Sequence, residues 1–346
     1  MSCKIGLAAI LMVASVSQAN STEEPPLTAV SQRDGIDWVE CLAIDPQNPE
    51  VVYAGTFGGG VFKTTNGGST WKAINSGITD NSVEVIAVDP KNVNVVYLGT
   101  AAAGIFKTTN AGARWKAANN GDPHIELHGI SAMAIDPVTT SNIYAGWEGG
   151  GLYKSTNAGA RWESVGDIIL QPGTIAVDPK RPNTVYVGHF GVHKSTNGGR
   201  NWKPTSLSDE ALVTQLVVDP KAPNNIYAVT MTTGLYRTRN GGKTWQKTGF
   251  PDNYVSALAI SASNPNVLVG AGIDGIFRSA DRGATWERVC QFLLANAMAI
   301  DPRDPGIVYA GSDCVGKTTD RGVSWVSVGQ GMSDGCSYWE YCNGTR

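Results

Sequence analysis

Short apolar runs recur along the chain, each closed by Gly, Pro, Asn or Asp. VECLAIDP (Val39 to Pro46), VVYAGT (Val51 to Thr56) and GVFKTT (Gly60 to Thr65) form one such set. Runs this short, rich in β-branched and aromatic residues, read as strands. No stretch holds a helical period. A further strand follows a phrase that recurs seven times, Lys/Arg-x-x-Asn/Asp-x-Gly-x-x-Trp. It ends at Trp71, Trp115, Trp162, Trp202, Trp245, Trp286 and Trp325, at intervals of 44, 47, 40, 43, 41 and 39 residues. A near-constant period of this length marks a repeat architecture. Four strands per repeat and seven repeats predict an all-β chain: a seven-bladed β-propeller of four-stranded antiparallel blades, over residues 35–329.

The repeated phrase fits a tight turn between the third and fourth strands. Its Asn or Asp folds back on nearby backbone N–H groups, and its Gly takes a positive φ. The Trp then opens the outermost strand and covers the turn. Five turns carry Asn (Asn66, Asn110, Asn157, Asn197, Asn240) and two carry Asp (Asp281, Asp320). Asn keeps the acceptor but lacks the charge. The position therefore reads as a structural hydrogen bonder, not a catalytic acid.

The phrase resembles the Asp-box, or BNR, repeat of sialidases, xyloglucanases, sortilin-type receptors and photosystem II stability/assembly factors. The resemblance implies propeller blades and is nearly silent on activity. Seven blades in a single ring look most like the assembly-factor type. Sialidases resemble six-bladed rings, and xyloglucanases two seven-bladed rings in tandem. The arginine triad and Arg-Ile-Pro motif of sialidases are not visible here.

Composition narrows the setting. Formal charge is −3, which gives no support for nucleic acid or an anionic membrane as partner. Residues 1–19 look like a secretory signal peptide: Lys4, an apolar run from Ile5 to Val16, then Ser17-Gln18-Ala19. That run is too short to span a bilayer. A polar linker (20–34) follows, and a cysteine-bearing tail (330–346) ends the chain. The expected product is exported to the periplasm or medium, monomeric, and not inserted in a membrane. Export permits disulfides. Cys290–Cys314 and Cys336–Cys342 are the expected pairs, with Cys41 a thiol in an inner strand.

Repeat lengths vary mostly between each Trp and the next inner strand. That loop shares a face with the turns joining second and third strands, and variable loops on a rigid scaffold are where binding resides. This face is predicted to carry Trp38, Phe57, His124, His128, Trp147, Glu148, His189, Phe190, Tyr254, Asp274 and Asp313. Aromatic residues suit either a protein partner or a glycan. His124, Glu126 and His128 alternate as metal ligands could, but nothing completes a site, so no metal and no cofactor are expected. A glycoside hydrolase would need paired carboxylates, with Glu40, Glu84, Glu148, Asp274 and Asp313 as candidates. The expected function is non-catalytic docking of a partner protein or glycan, as in an assembly factor. Glycoside hydrolysis is the alternative, and no catalytic residue is assigned.

Overall fold

A computed structural model of the chain describes residues 38–121, 125, 129–147, 149–166, 171–291, 294–332, 339 and 342. The expected signal peptide and linker lie outside the described residues, as does most of the tail. The chain forms a seven-bladed β-propeller. Each blade is a four-stranded antiparallel sheet with its strands in sequence order. In blade one they are Val39–Ile44, Val52–Thr56, Gly60–Thr64 and Lys72–Ala73. Each first strand packs on the first strands of both neighbours, right around the ring.

The sequence alternation explains where the core lies. The second strand is buried along its whole length in blades one, two, five, six and seven. A strand buried on both faces must carry apolar side chains on both, and VYAGT, VYLGT and IYAVT do so. The core is therefore divided into layers between blades. Tyr53 and Val61 of blade one meet Val83, Leu98, Phe106 and Trp115 of blade two. The ring closes the same way: Val39, Val52 and Trp71 of blade one pack with Tyr309 and Val315 of blade seven. Among the described residues, no strand is exchanged at this seam. Val39 N–H donates to Ser312 C=O at 2.8 Å, and Trp71 N–H donates to Gln330 C=O at 2.9 Å.

The repeated turn is built as expected, with one partner that the phrase did not include. In blade one, Asn66 Oδ1 accepts the Thr70 N–H at 3.0 Å. The Thr64 hydroxyl donates to Asn66 Oδ1 at 2.8 Å and accepts the Gly68 N–H at 3.0 Å. The same Ser or Thr recurs in every blade: Thr108, Ser155, Ser195, Thr238, Ser279 and Thr318. Its signal was present, because a hydroxyl residue directly follows every Lys or Arg of the phrase. Both residues after the Asn or Asp take positive φ. Gly fills the second position always, but Ala111, Ala158, Arg282 and Arg321 occupy the first, at φ 54, 58, 64 and 70°.

A second repeated device joins the blades. The second-strand Tyr lies opposite the third-strand Lys in register, as Tyr53 opposite Lys63. The ammonium sits 5.1 Å from that ring centre and donates to Ala111 C=O in the next blade's turn at 2.9 Å. Lys107, Lys154, Lys194, Arg237 and Lys317 repeat the contact, each reaching the following blade. Lys317 reaches Gly67 and so crosses the seam. Blade six departs from the pattern, with Val269 opposite Arg278.

The tail supplies what the last blades lack. The middle of the third strand holds Phe62, Phe106, Tyr153, His193, Tyr236 and Phe277 in blades one to six, but Gly316 in blade seven. Trp339 fills that space. It is fully buried, stacks on Trp325 at 5.3 Å, and a Cβ on Gly316 would lie 2.1 Å from its indole. Cys342 is bonded to Cys290, which corrects both expected pairings. Blade six has an unusually long outer strand, Glu287–Gln291. It carries Cys290 opposite Ile276, where the returning tail meets it with a Cα separation of 4.6 Å. Cys314 instead lies with its sulfur 3.7 Å from the Ser327 hydroxyl. Cys336 lies outside the described residues.

Candidate functional site

Antiparallel order puts the second-to-third-strand turns and the loops between blades on one face. The Asn/Asp turns lie on the other. Phe57 and Phe190 stand at the tips of such turns in blades one and four, 57% and 51% exposed. Tight turn geometry accounts for this. Phe190 is the single residue between strands Val185–His189 and Gly191–Ser195, so its side chain has no room to fold inward. Each Phe also bridges to the adjacent interblade loop, Phe57 to Ser82 and Phe190 to Leu212. Ile273, at 49% exposure, is the blade-six counterpart.

The other predicted face residues fall around these. His189 packs edge-on against Phe190 with ring centres 4.4 Å apart. Trp38 is half-buried, and its carbonyl accepts the Phe57 N–H at 2.9 Å. Trp147 ends the second strand of blade three and is half-buried. Asp274 is exposed beside Ile273. Asp313 is half-buried and accepts the Ser312 hydroxyl at 3.0 Å. Burial pushes its carboxyl above the usual carboxylate range, against that hydrogen bond. Burial also lowers the His189 imidazole, favouring its neutral form. His124, Glu126, His128 and Glu148 lie outside the described residues.

One feature of this face was not legible in the sequence. The first strands of blades one, two, five and six carry a register shift near their start. Blade three has its shift opposite Trp147. The extra residues are Glu40, Glu84, Thr214, Ser256 and Ser131, all polar. A bulge re-aims the residue it inserts, and each of these five lies at the variable-loop end of an inner strand. Ser131 and Ser256 bond the neighbouring blade's backbone, to Pro172 C=O at 3.0 Å and Ala295 C=O at 2.7 Å. Burial raises the Tyr254 hydroxyl first, and the Asp252 and Glu40 charges add to it.

Two recesses lie elsewhere. One of about 350 Å³ is apolar, between Ile135, Val177, Val218 and the prolines of the opposite face. The other, about 660 Å³, lies between the Asn turns of blades two and three, beside Lys107, Arg114 and Lys116. Among the described residues, no group of three or more His, Cys, Asp or Glu side chains could hold a metal ion. No helix among them is long and apolar enough to cross a membrane.

No family model and no curated protein matches the chain. Solved structures do, at the level of fold. The GH74 xyloglucanase of Xanthomonas campestris superposes with a TM-score of 0.73 at 16% identity, over 85% of this chain and 55% of that one. The chain thus spans about half the length of that enzyme. YCF48 from Cyanidioschyzon merolae superposes with a TM-score of 0.60 at 14% identity, covering 82% and 95% of the two chains. YCF48 bound to D1 peptide gives 0.62 at 13%, covering 82% and 92%.

Proposed function

We propose that this is an exported, non-catalytic propeller of the Asp-box type that docks a partner polypeptide on its variable-loop face. The observation that carries the reading is the exposure of Phe57 and Phe190. Apolar rings held out on tight turns lose solvent contact only when something covers them, and aromatic anchors dominate protein interfaces. Two further points support it. A fold neighbour covered over 92% of its own length, YCF48, has been captured with a peptide, and residues 1–19 of this chain have the form of an export signal. The test is affinity capture from the periplasmic or extracellular fraction, comparing the parent with Phe57→Ser/Phe190→Ser. The parent should retain a partner that the variant loses, with thermal unfolding unchanged. A partner held equally by both would place docking elsewhere.

Glycoside hydrolysis is the second reading. The raised Asp313 carboxyl favours it, because burial shifts the group in the direction that a general acid requires. Similarity in fold to a xyloglucanase adds a weaker point, since the chain spans only about half of that enzyme. A glycan-array screen with reducing-end release on every polysaccharide bound decides between the two. Cleavage abolished by Asp313→Asn would establish the hydrolase; no binding would leave the polypeptide reading.

A further inference from the structure

Lys and Arg are distributed unevenly between the two faces, whereas carboxylates occur on both. The described residues of the turns joining second to third strands are 57–59, 101–104, 149–151, 190, 231–233, 273–274 and 312–314. The described residues of the loops joining blades are 74–82, 118–121, 125, 129, 165–166, 171–173, 205–212, 248–254 and 294–296. Not one contains Lys or Arg. They do contain carboxylates, among them Asp80, Asp209, Glu210, Asp252, Asp274 and Asp313. The cations lie on the other side and around the outer edge. Lys91, Lys180, Arg181, Lys221 and Arg303 occupy the opposite-face loops, and the Asn/Asp turns carry Arg114, Arg161, Arg200, Arg239, Arg282 and Arg321.

The mild overall charge of −3 hides this polarity, which appears only when the strand order assigns each segment to a face. Some carboxylates have structural work. Asp80 accepts the Ser82 and Ala102 N–H groups, and Asp252 accepts those of Tyr254 and Ile273. Those bonds leave the negative charge in place. Asp209, Glu210 and Asp274 are exposed, and they lie on the face that displays Phe57, Phe190 and Ile273. Lys247 reaches this face from an outer strand and donates to Asn253 Oδ1 at 2.6 Å, yet carboxylates outnumber cations there, and a surface with apolar anchors and an excess of carboxylates selects its occupant by charge. Acidic or nucleic partners are repelled, and a positively charged chain is drawn in and oriented.

We infer that the occupant of the variable-loop face is a cationic polypeptide segment that pairs Lys or Arg with apolar side chains. The inference rests on the docking reading above and adds the chemistry of the partner. Its apolar residues would cover Phe57 or Phe190, and its cations would lie over the carboxylate loops. Binding should weaken steeply with salt, because exposed charges are screened within about 10 Å at 0.1 M ionic strength.

Fluorescence anisotropy on the full chain tests this. The probes are labelled ~12-residue peptides built from Lys, Phe and Gly, and matched peptides with Glu for Lys. The Lys peptide should bind at least ~tenfold more tightly than the Glu peptide and lose affinity as NaCl rises. Glu210→Lys/Asp274→Lys should erase the preference, and Arg200→Glu on the other face should not. If the Glu peptide binds as well, or charge reversal changes nothing, the assignment of a cationic partner is overturned. Should Phe57→Ser/Phe190→Ser still abolish binding in that case, the docking face itself survives. Binding of neither peptide, at low or high salt, also overturns the cationic assignment, and the capture experiment then judges the docking face alone.

Discussion

Replacing Trp339 by Ala should destabilise the ring, and the hole it fills can be refilled from inside the blade. Trp339 is fully buried against Trp325 and stands over Gly316. Removing a buried indole that nothing can collapse onto costs about 3–5 kcal/mol. For a chain of this size that lowers the melting temperature by roughly 5–8 °C. The Cys290–Cys342 bond still tethers the tail, so the loss reports packing and not release. Six blades show what else fits the slot, since each carries a ring or imidazole where blade seven has Gly316. Gly316→Phe should therefore be harmful alone, because its Cβ would lie 2.1 Å from the indole. In a Trp339→Ala background the same change should recover at least half of the lost stability. The Trp339 indole N–H has no hydrogen-bond partner among the described residues, so Trp339→Phe should cost under ~1.5 kcal/mol. Differential scanning calorimetry of the four variants measures the cycle. A neutral Trp339→Ala, or a Gly316→Phe tolerated beside Trp339, would refute the slot.

Other consequences can be checked directly. Ala111→Gly removes a Cβ from a left-handed position and should stabilise by up to ~1 kcal/mol, read as a rise in denaturation midpoint. Lys107→Met keeps the stem over Tyr97 but breaks the bond to Ala158 C=O; it should cost about 1–2 kcal/mol by urea unfolding. Burial holds the His193 imidazole below its ordinary value, with Asp209 opposing. The unfolded chain therefore takes up the proton first, and stability should fall as pH drops below ~6.5. His193→Phe, the residue of blades one, two and six, should show a smaller loss of melting temperature between pH 7 and 5. Equal losses would exclude the imidazole as the cause.

The scaffold was readable because seven copies state the same local physics. Asn66 and its counterparts, the glycine after each and the closing Trp each have one geometric use, and repetition fixes the period. What escaped the reading depends on departures from the repeat. Trp202, Trp245 and Trp286 fit the phrase as well as Trp115 does, yet they are only half-buried. Trp115 donates its indole N–H to Ile74 C=O of the preceding blade, whereas Trp202 donates to Gly199 within its own turn. Cysteine pairing failed for a related reason. Blade geometry brings Cys290 and Cys314 into one core cluster, but where the tail returns depends on the missing ring at Gly316, and pairwise spacing cannot show that. The bulges at Glu40 and Glu84 were equally hidden, since one added residue in a strand leaves no compositional mark. Of the candidate site, the aromatic tips at Phe57 and Phe190 were legible and their bulged polar neighbours were not.

The seam between blades seven and one has a consequence for how the chain may be cut. Every blade is whole in the sequence, and the closing contacts are of the same kind as those elsewhere in the ring. Lys317 reaches Gly67 as Lys63 reaches Ala111, and Trp71 donates to Val328 C=O as Trp115 does to Ile74 C=O. Here the chain could be joined end to end and opened in any interblade loop with no blade divided. The exception is the loop after Gln291, where Cys290 and the tail lock two blades together. Circularly permuted forms opened at residues 205–212 should assemble the same ring, which makes the order of blades in the gene a matter of history more than of mechanics.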